Sequence, residues 1–177
     1  MSLLKTAERL EAVADLVGRV AAWATLAMVA VVSFNVVTRY TLHWGTVWLQ
    51  ELEWHLLAPI ALFGMTYTLR HGEHVRVDML YERMPPRARH LLDCLSSIVI
   101  VVVAVMIINF SINYVNESWR IREFSPDPGG LPARYALKAL IPIGFVLLAL
   151  QGVVMALRHA VLLVHPEAHP EAEETKP

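Results

Sequence analysis

Four long windows of mainly apolar residues divide the chain, at residues 18–38, 49–69, 91–113 and 138–163. A helix of about 20 such residues covers the ~30 Å hydrocarbon core of a bilayer. Lipid offers no partner to a backbone N–H or C=O, so each window is predicted to be a helix, not an open strand. The third window has an aliphatic centre over residues 98–108. Its β-branched residues lower helix propensity in water, a preference that the bilayer's demand for internal pairing overrides. The second window is wetter at its start, where Glu51, Glu53 and His55 stand. Pro59 and Pro142 each remove a backbone donor and are expected to kink or start their helices.

Outside these windows the pattern changes. Residues 3–17 repeat apolar side chains at Leu3, Ala7, Leu10, Ala14 and Val17, the spacing of an amphipathic helix that either lies on the cytoplasmic leaflet or continues into the first window. Glu8, Glu11 and Asp15 in this leader, with no small-residue cleavage site after it, argue against a cleaved signal. The end of the chain, HPEAHPEAEETKP, is rich in proline and glutamate and is predicted to be disordered. His165 and His169 belong to that solvated tail. The expected organisation is a short amphipathic helix over 1–17, a four-helix membrane domain over 18–163 and a disordered acidic tail over 164–177.

Composition agrees with an all-α integral membrane protein: 56% of residues are hydrophobic, 18% are charged and mean hydropathy is +0.47. A net charge of −1 gives no basic excess for nucleic acid. The single cysteine, Cys94, excludes an intrachain disulfide and a cysteine-built zinc cluster. Charge is more informative by position. Lys5, Arg9, Arg19, Arg70, Arg76, Arg83, Arg87, Arg89, Arg158 and Lys176 fall on one side of the predicted spans; Arg39, Arg120, Arg122, Arg134 and Lys138 fall on the other. The positive-inside rule then places both termini and the 70–90 loop in the cytoplasm.

Polar residues gather at the predicted outer ends: Asn35 and Arg39, then Glu51, Glu53 and His55, then Asn109, Asn113 and Glu117. On a helix Glu51 and His55 share a face, while Glu53 points about 200° away. An Arg39–Glu51 pair across the first hairpin is expected; the alternative is that both snorkel to headgroups and water. Trp44, Trp48, Trp54 and Tyr40 cluster where an aromatic belt would lie. No ionisable residue stands deeper in a span than His55, and the fourth span offers only Gln151 and Gly152 as polar or small residues. A self-sufficient ion-coupled carrier places a charge near the midplane. A stand-alone homo-oligomeric carrier or channel using Glu51 and Glu53 is therefore the alternative reading.

Three stretches raise chemistry. LRHGEHVRVDML carries His71, Glu73 and His74, but Gly72 between the histidines and Arg70 and Arg76 around them oppose both a stable helix and a dication. It reads as the exit of the second helix, with Gly72 permitting a turn and Arg76 paired locally with Asp78; no metal site is expected. The SPDPGGLPARY loop, with Pro128, Gly129 and Gly130, is a shaped turn. It lacks the strand and the lysine–serine ending of a phosphate cradle. A membrane haem needs histidines facing each other at matched depth. Only His55 lies well inside a span, and His43, His71, His74, His90 and His159 stand at edges or in loops, so a haem-binding anchor is the weaker alternative. No catalytic residue and no cofactor are expected.

In order along the chain, Arg39-Tyr40 closes the first span and Trp48, Glu51 and Leu52 open the second. Gly64 sits within the second, GEHVRVD runs from Gly72 through His74 and Arg76 to Asp78, and SPDPGGLPARYALKALIPIGFVLLALQG follows. This set over residues 20–155 resembles the small, DctQ-like membrane subunit of tripartite ATP-independent periplasmic (TRAP) transporters. The resemblance implies a bacterial cytoplasmic-membrane protein without catalytic chemistry. It further implies that the chain braces a large permease subunit for sodium-coupled uptake of a carboxylate delivered by a periplasmic solute-binding protein. Arg39, Tyr40, Trp48, Glu51, Gly64, Gly72, His74, Arg76, Asp78, Pro128, Gly129 and Gly130 are then the structural or interface candidates, with the large subunit, the binding protein and membrane lipids as partners.

Overall fold

The computed structural model describes residues 2–71, 81 and 83–164, with side chains from residue 12 onward. Among the described residues there are four helices and no strand: α1 (Ser2–Thr41), α2 (Val47–His71), α3 (Pro86–Arg120) and α4 (Arg134–Val164). The tail and the 72–80 segment, which holds the candidates Gly72, His74, Arg76 and Asp78 and the expected Arg76–Asp78 pair, lie outside the described residues. The leader does not form a separate element. The α1 helix runs unbroken for 40 residues through the expected division at 17/18. Likewise α2 and α4 carry Pro59 and Pro142 in their interiors, so neither proline starts its helix.

The helices α1, α3 and α4 are long and apolar enough to cross a membrane. Burial is inverted relative to a water-soluble bundle. The buried hydrophobic side chains are few and mostly small (Ala14, Ala21, Ala104, with Leu49 and Leu69), while Asn35, Thr38, Glu51, Thr66, Asp93, Ser97, Ser111, Ser118 and Gln151 are buried. Large apolar side chains such as Trp23, Phe34, Val102 and Phe110 face outward. In lipid, apolar surface gains nothing by leaving the solvent, so close packing of small residues and polar contacts hold helices together.

Two hairpins result, α1 with α2 and α3 with α4, and α2 against α4 joins them. Along the seams the backbones approach closely. A Cβ on Gly144 would lie 2.8 Å from Leu62 Cβ, and one on Gly152 would lie 2.9 Å from Val101 Cγ2. Several hydroxyls inside the helices are satisfied by the backbone one turn earlier, although the buried Thr66 hydroxyl has no such partner. Thr38 Oγ1 donates to Phe34 O at 2.9 Å and Ser97 Oγ to Asp93 O at 2.7 Å, which removes the cost of a bare polar group in lipid.

The hairpin geometry gives the bundle two ends. The loop end carries the connections 42–46 and 121–133. The terminal end carries the beginnings of α1 and α3 and the ends of α2 and α4. There Arg70 pairs with Asp15 across α1 and α2.

Candidate functional site

The loop end is built by the way α3 stops. Ile121 caps it, Arg122 takes a left-handed conformation (φ 50°), and its N–H donates to Trp119 O while the N–H of Glu123 donates to Ser118 O at 3.0 Å. This is a Schellman closure with arginine where glycine is usual. Arg122 stacks its guanidinium 4.3 Å above the Trp119 ring, which offsets part of the cost of an L-residue in that region. The reversal carries Glu123 back over Ser118, whose hydroxyl donates to it at 2.5 Å, and within 2.5 Å of Lys138 Nζ at the start of α4. The Lys138 ammonium, with the Ser118 hydroxyl, holds the Glu123 carboxyl below the ordinary carboxylate range.

Beyond Glu123 the loop folds onto the first turn of α2. Glu51, only 2% exposed, accepts hydrogen bonds from Ser125 Oγ, from the backbone N–H of Leu131 at 2.5 Å and from Arg134 Nη2 at 2.9 Å. One carboxylate therefore gathers a hydroxyl, a backbone amide and a guanidinium from the loop and from α4. Gly130 fits because it lacks a side chain: a Cβ there would run into Ser125 and lie 2.7 Å from Glu51 Oε2. Gly129, at φ 82°, makes the turn closed by Gly130 N–H on Asp127 O at 3.0 Å.

Around this hub the first hairpin is fastened too. Asn35 Nδ2 donates to Glu53 Oε1 at 2.7 Å, and His55 Nδ1 donates to Glu51 O at 2.7 Å. Glu51, Glu53 and His55, the residues that make α2 wet, thus each have a partner inside the bundle. The expected Arg39–Glu51 pair does not form. Arg134 takes the carboxylate because the loop brings its guanidinium directly against α2, while Arg39 stands exposed at the end of α1.

Of the other sequence candidates, Tyr40 is exposed, Trp48 is partly exposed at the start of α2, and Pro128 is exposed in the loop. Gly64 faces open space, with no atom of the chain within 4 Å of where its Cβ would be. The structure therefore brings Glu51 and Gly130 together and leaves Arg39, Tyr40 and Gly64 on the outside.

At the terminal end the structure assembles a group that the sequence did not suggest. His90 and Asp93 lie one turn apart on α3, and His159 meets them from the last turns of α4. The two Nδ1 atoms are 3.3 Å apart, His159 Nδ1 lies 3.8 Å from Asp93 Oδ2, and Tyr81 donates its hydroxyl to the same oxygen at 2.6 Å. The only sequence signal is the three-residue spacing of His90 and Asp93; the contribution of His159 depends on the pairing of α3 with α4.

The family model described as "Tripartite ATP-independent periplasmic transporters, DctQ component" matches residues 28–162. Relatives include the ectoine TRAP transporter small permease protein of Halomonas elongata, 25% identical over 71% of this chain and 64% of that protein. A putative TRAP transporter small permease protein of Haemophilus influenzae is 25% identical over 71% of this chain and 76% of that protein. The sialic acid TRAP transporter permease protein of Haemophilus influenzae is 23% identical over 70% of this chain but only 20% of its own length. The chain thus spans less than two thirds of two of these relatives.

Proposed function

The chain belongs to the DctQ component family of TRAP transporters, and on that premise we propose that it is a non-catalytic subunit that braces a large permease subunit. The observation that carries the reading is the internal use of its polar groups. Glu51, Glu53 and His55 are bonded within the bundle at the loop end, and the outer surface is apolar. Such a chain is suited to holding a shape in lipid rather than conducting ions through its own centre.

All four helices span the membrane in this reading. The 25 residues of α2 give about 37 Å of helix, enough for the ~30 Å core; at the loop end Glu51 pairs with Arg134 and Glu53 accepts a hydrogen bond from Asn35. Both termini lie in the cytoplasm, and the loop end with Pro128, Gly129 and Gly130 faces out, where it helps dock a solute-binding protein. The transport is sodium-coupled and the substrate a carboxylate; relatives named for ectoine and for sialic acid indicate that the cargo varies within the family. A membrane domain followed by an acidic tail belongs to the same proposal, with the amino-terminal stretch taken as the first part of α1.

Gly64, Arg39, Tyr40 and Trp48 are the partner-facing candidates, because they lie on the outside of the bundle. A small residue such as Gly64 lets a second backbone approach closely. Gly64→Leu is expected to lower the yield of the complex with the large subunit several-fold while leaving the thermal unfolding of the chain unchanged. Co-purification with a larger membrane protein, and loss of uptake when this chain is omitted from reconstituted vesicles, test the bracing role. Uptake that survives the omission would refute it. Transport by this chain alone, abolished by Glu51→Gln, would make it a stand-alone carrier instead.

A further inference from the structure

The His90–Asp93–His159 group at the terminal end is not used by the bracing role, and its geometry has a chemical meaning of its own. The ligand atoms of the three side chains lie within 4.8 Å of one another. Tetrahedral zinc with bonds of about 2.0–2.1 Å to nitrogen places its ligands roughly 3.3–3.4 Å apart. The Nδ1–Nδ1 separation of 3.3 Å matches that edge, and the 3.8 Å from His159 Nδ1 to Asp93 Oδ2 comes within reach of it by a small rotation of the carboxylate.

The surroundings hold the donors in place. The side chains of His159 and Asp93 are 16% and 8% exposed, so the group sits between α3 and α4. The Tyr81 hydroxyl donates to the same Asp93 Oδ2 at 2.6 Å, the kind of outer hydrogen bond that metal-ligating carboxylates carry. The neighbouring Arg89 donates its Nε to Met84 O at 2.9 Å, and its guanidinium lies 5.4 Å from the Tyr81 ring centre. Two imidazoles with one carboxylate select a borderline-soft divalent metal over calcium or magnesium, which favour oxygen donors.

We propose that His90, Asp93 and His159 bind a divalent transition metal of the zinc class, with Tyr81 hydrogen-bonded to the carboxylate. The ion clasps the beginning of α3 to the end of α4. Since α3 packs chiefly against α4, the clasp fixes the outermost helix of the bundle.

The test uses the full chain purified in detergent with any subunit that accompanies it, stripped by chelator and titrated with zinc by calorimetry and with cobalt(II) by visible absorption. The expected result is one site whose cobalt complex shows tetrahedral d–d bands and whose occupation raises Tm. His90→Gln and His159→Gln should each weaken zinc binding at least tenfold, whereas a His165→Ala/His169→Ala double variant should retain it. Absence of binding to the unaltered chain, or binding that survives both glutamine variants, overturns the proposal. If both glutamine variants fail to fold, Tyr81→Phe carries the test. A loss of roughly tenfold in affinity, the scale of a second-shell change, supports the site, and an unchanged affinity overturns it.

Discussion

The two ends of the bundle solve the same problem, joining helices in a solvent that gives apolar packing no advantage, with different chemistry. At the loop end the joint is a carboxylate that collects donors. Glu51 holds Ser125, Leu131 and Arg134, and Glu123 holds Ser118 and Lys138, all positioned by a loop with left-handed residues at Arg122, Gly129 and Ala133. At the terminal end the α3–α4 joint is made of imidazoles, a carboxylate and a phenol, with Asp15 and Arg70 closing the other hairpin. The first arrangement depends on backbone shape and resists substitution. The second, on the metal proposal above, depends on occupancy by an ion and so can be adjusted by its surroundings. In the proposed bracing role, the rigid joint and the adjustable joint would stand at opposite ends of the bundle.

Removing the rigid joint should do the most damage. Glu51→Ala removes the carboxylate that accepts from Ser125, the Leu131 N–H and Arg134, and is expected to lower Tm more than any single change at the terminal end. If His159→Gln costs more, the assignment of rigidity to the loop end fails. Next comes Gly130→Val, whose side chain would collide with Ser125 and Glu51; an overpacking cost of about 3 kcal/mol should appear in thermal unfolding of the detergent-solubilised chain.

Acid should loosen the loop end by a smaller amount. The Glu123 carboxyl is held below its ordinary value, so its contribution is present above the unfolded-state pKa of about 4.3 and is lost as pH falls through the lower folded-state value. Stability measured from pH 6 down to 3 should therefore decline less steeply in Glu123→Gln than in the unaltered chain. Arg39→Ala is expected to have the smallest effect on the chain itself, within about 0.5 kcal/mol as for exposed positions. If the same change lowers the yield of the complex with the large subunit, Arg39 acts outward; if it lowers the Tm of the chain, it belongs to the loop-end joint after all.

Much of this architecture was legible beforehand. The four apolar windows became four helices because internal backbone pairing leaves lipid-facing chain few alternatives. The wet start of the second window is the place where the loop attaches. The leader was legible only as two alternatives, and the structure took the continuous one, since nothing between residues 17 and 18 breaks the helix. The Arg39–Glu51 pair was misread for an identifiable reason. Proximity along a hairpin favoured Arg39, whereas the Schellman turn at Ile121 and Arg122 carries the loop across to α2 and presents Arg134.

The sequence by itself determined the helical class and the family, because these follow from composition, run length and motifs read in order. Tertiary structure alone decided which donor each buried carboxylate received and that His90, Asp93 and His159 meet. Those partners are 83 residues apart for Glu51 with Arg134 and 69 apart for the histidines. Contacts of that separation follow from how hairpins pack and how loops turn, which no local pattern of residues encodes.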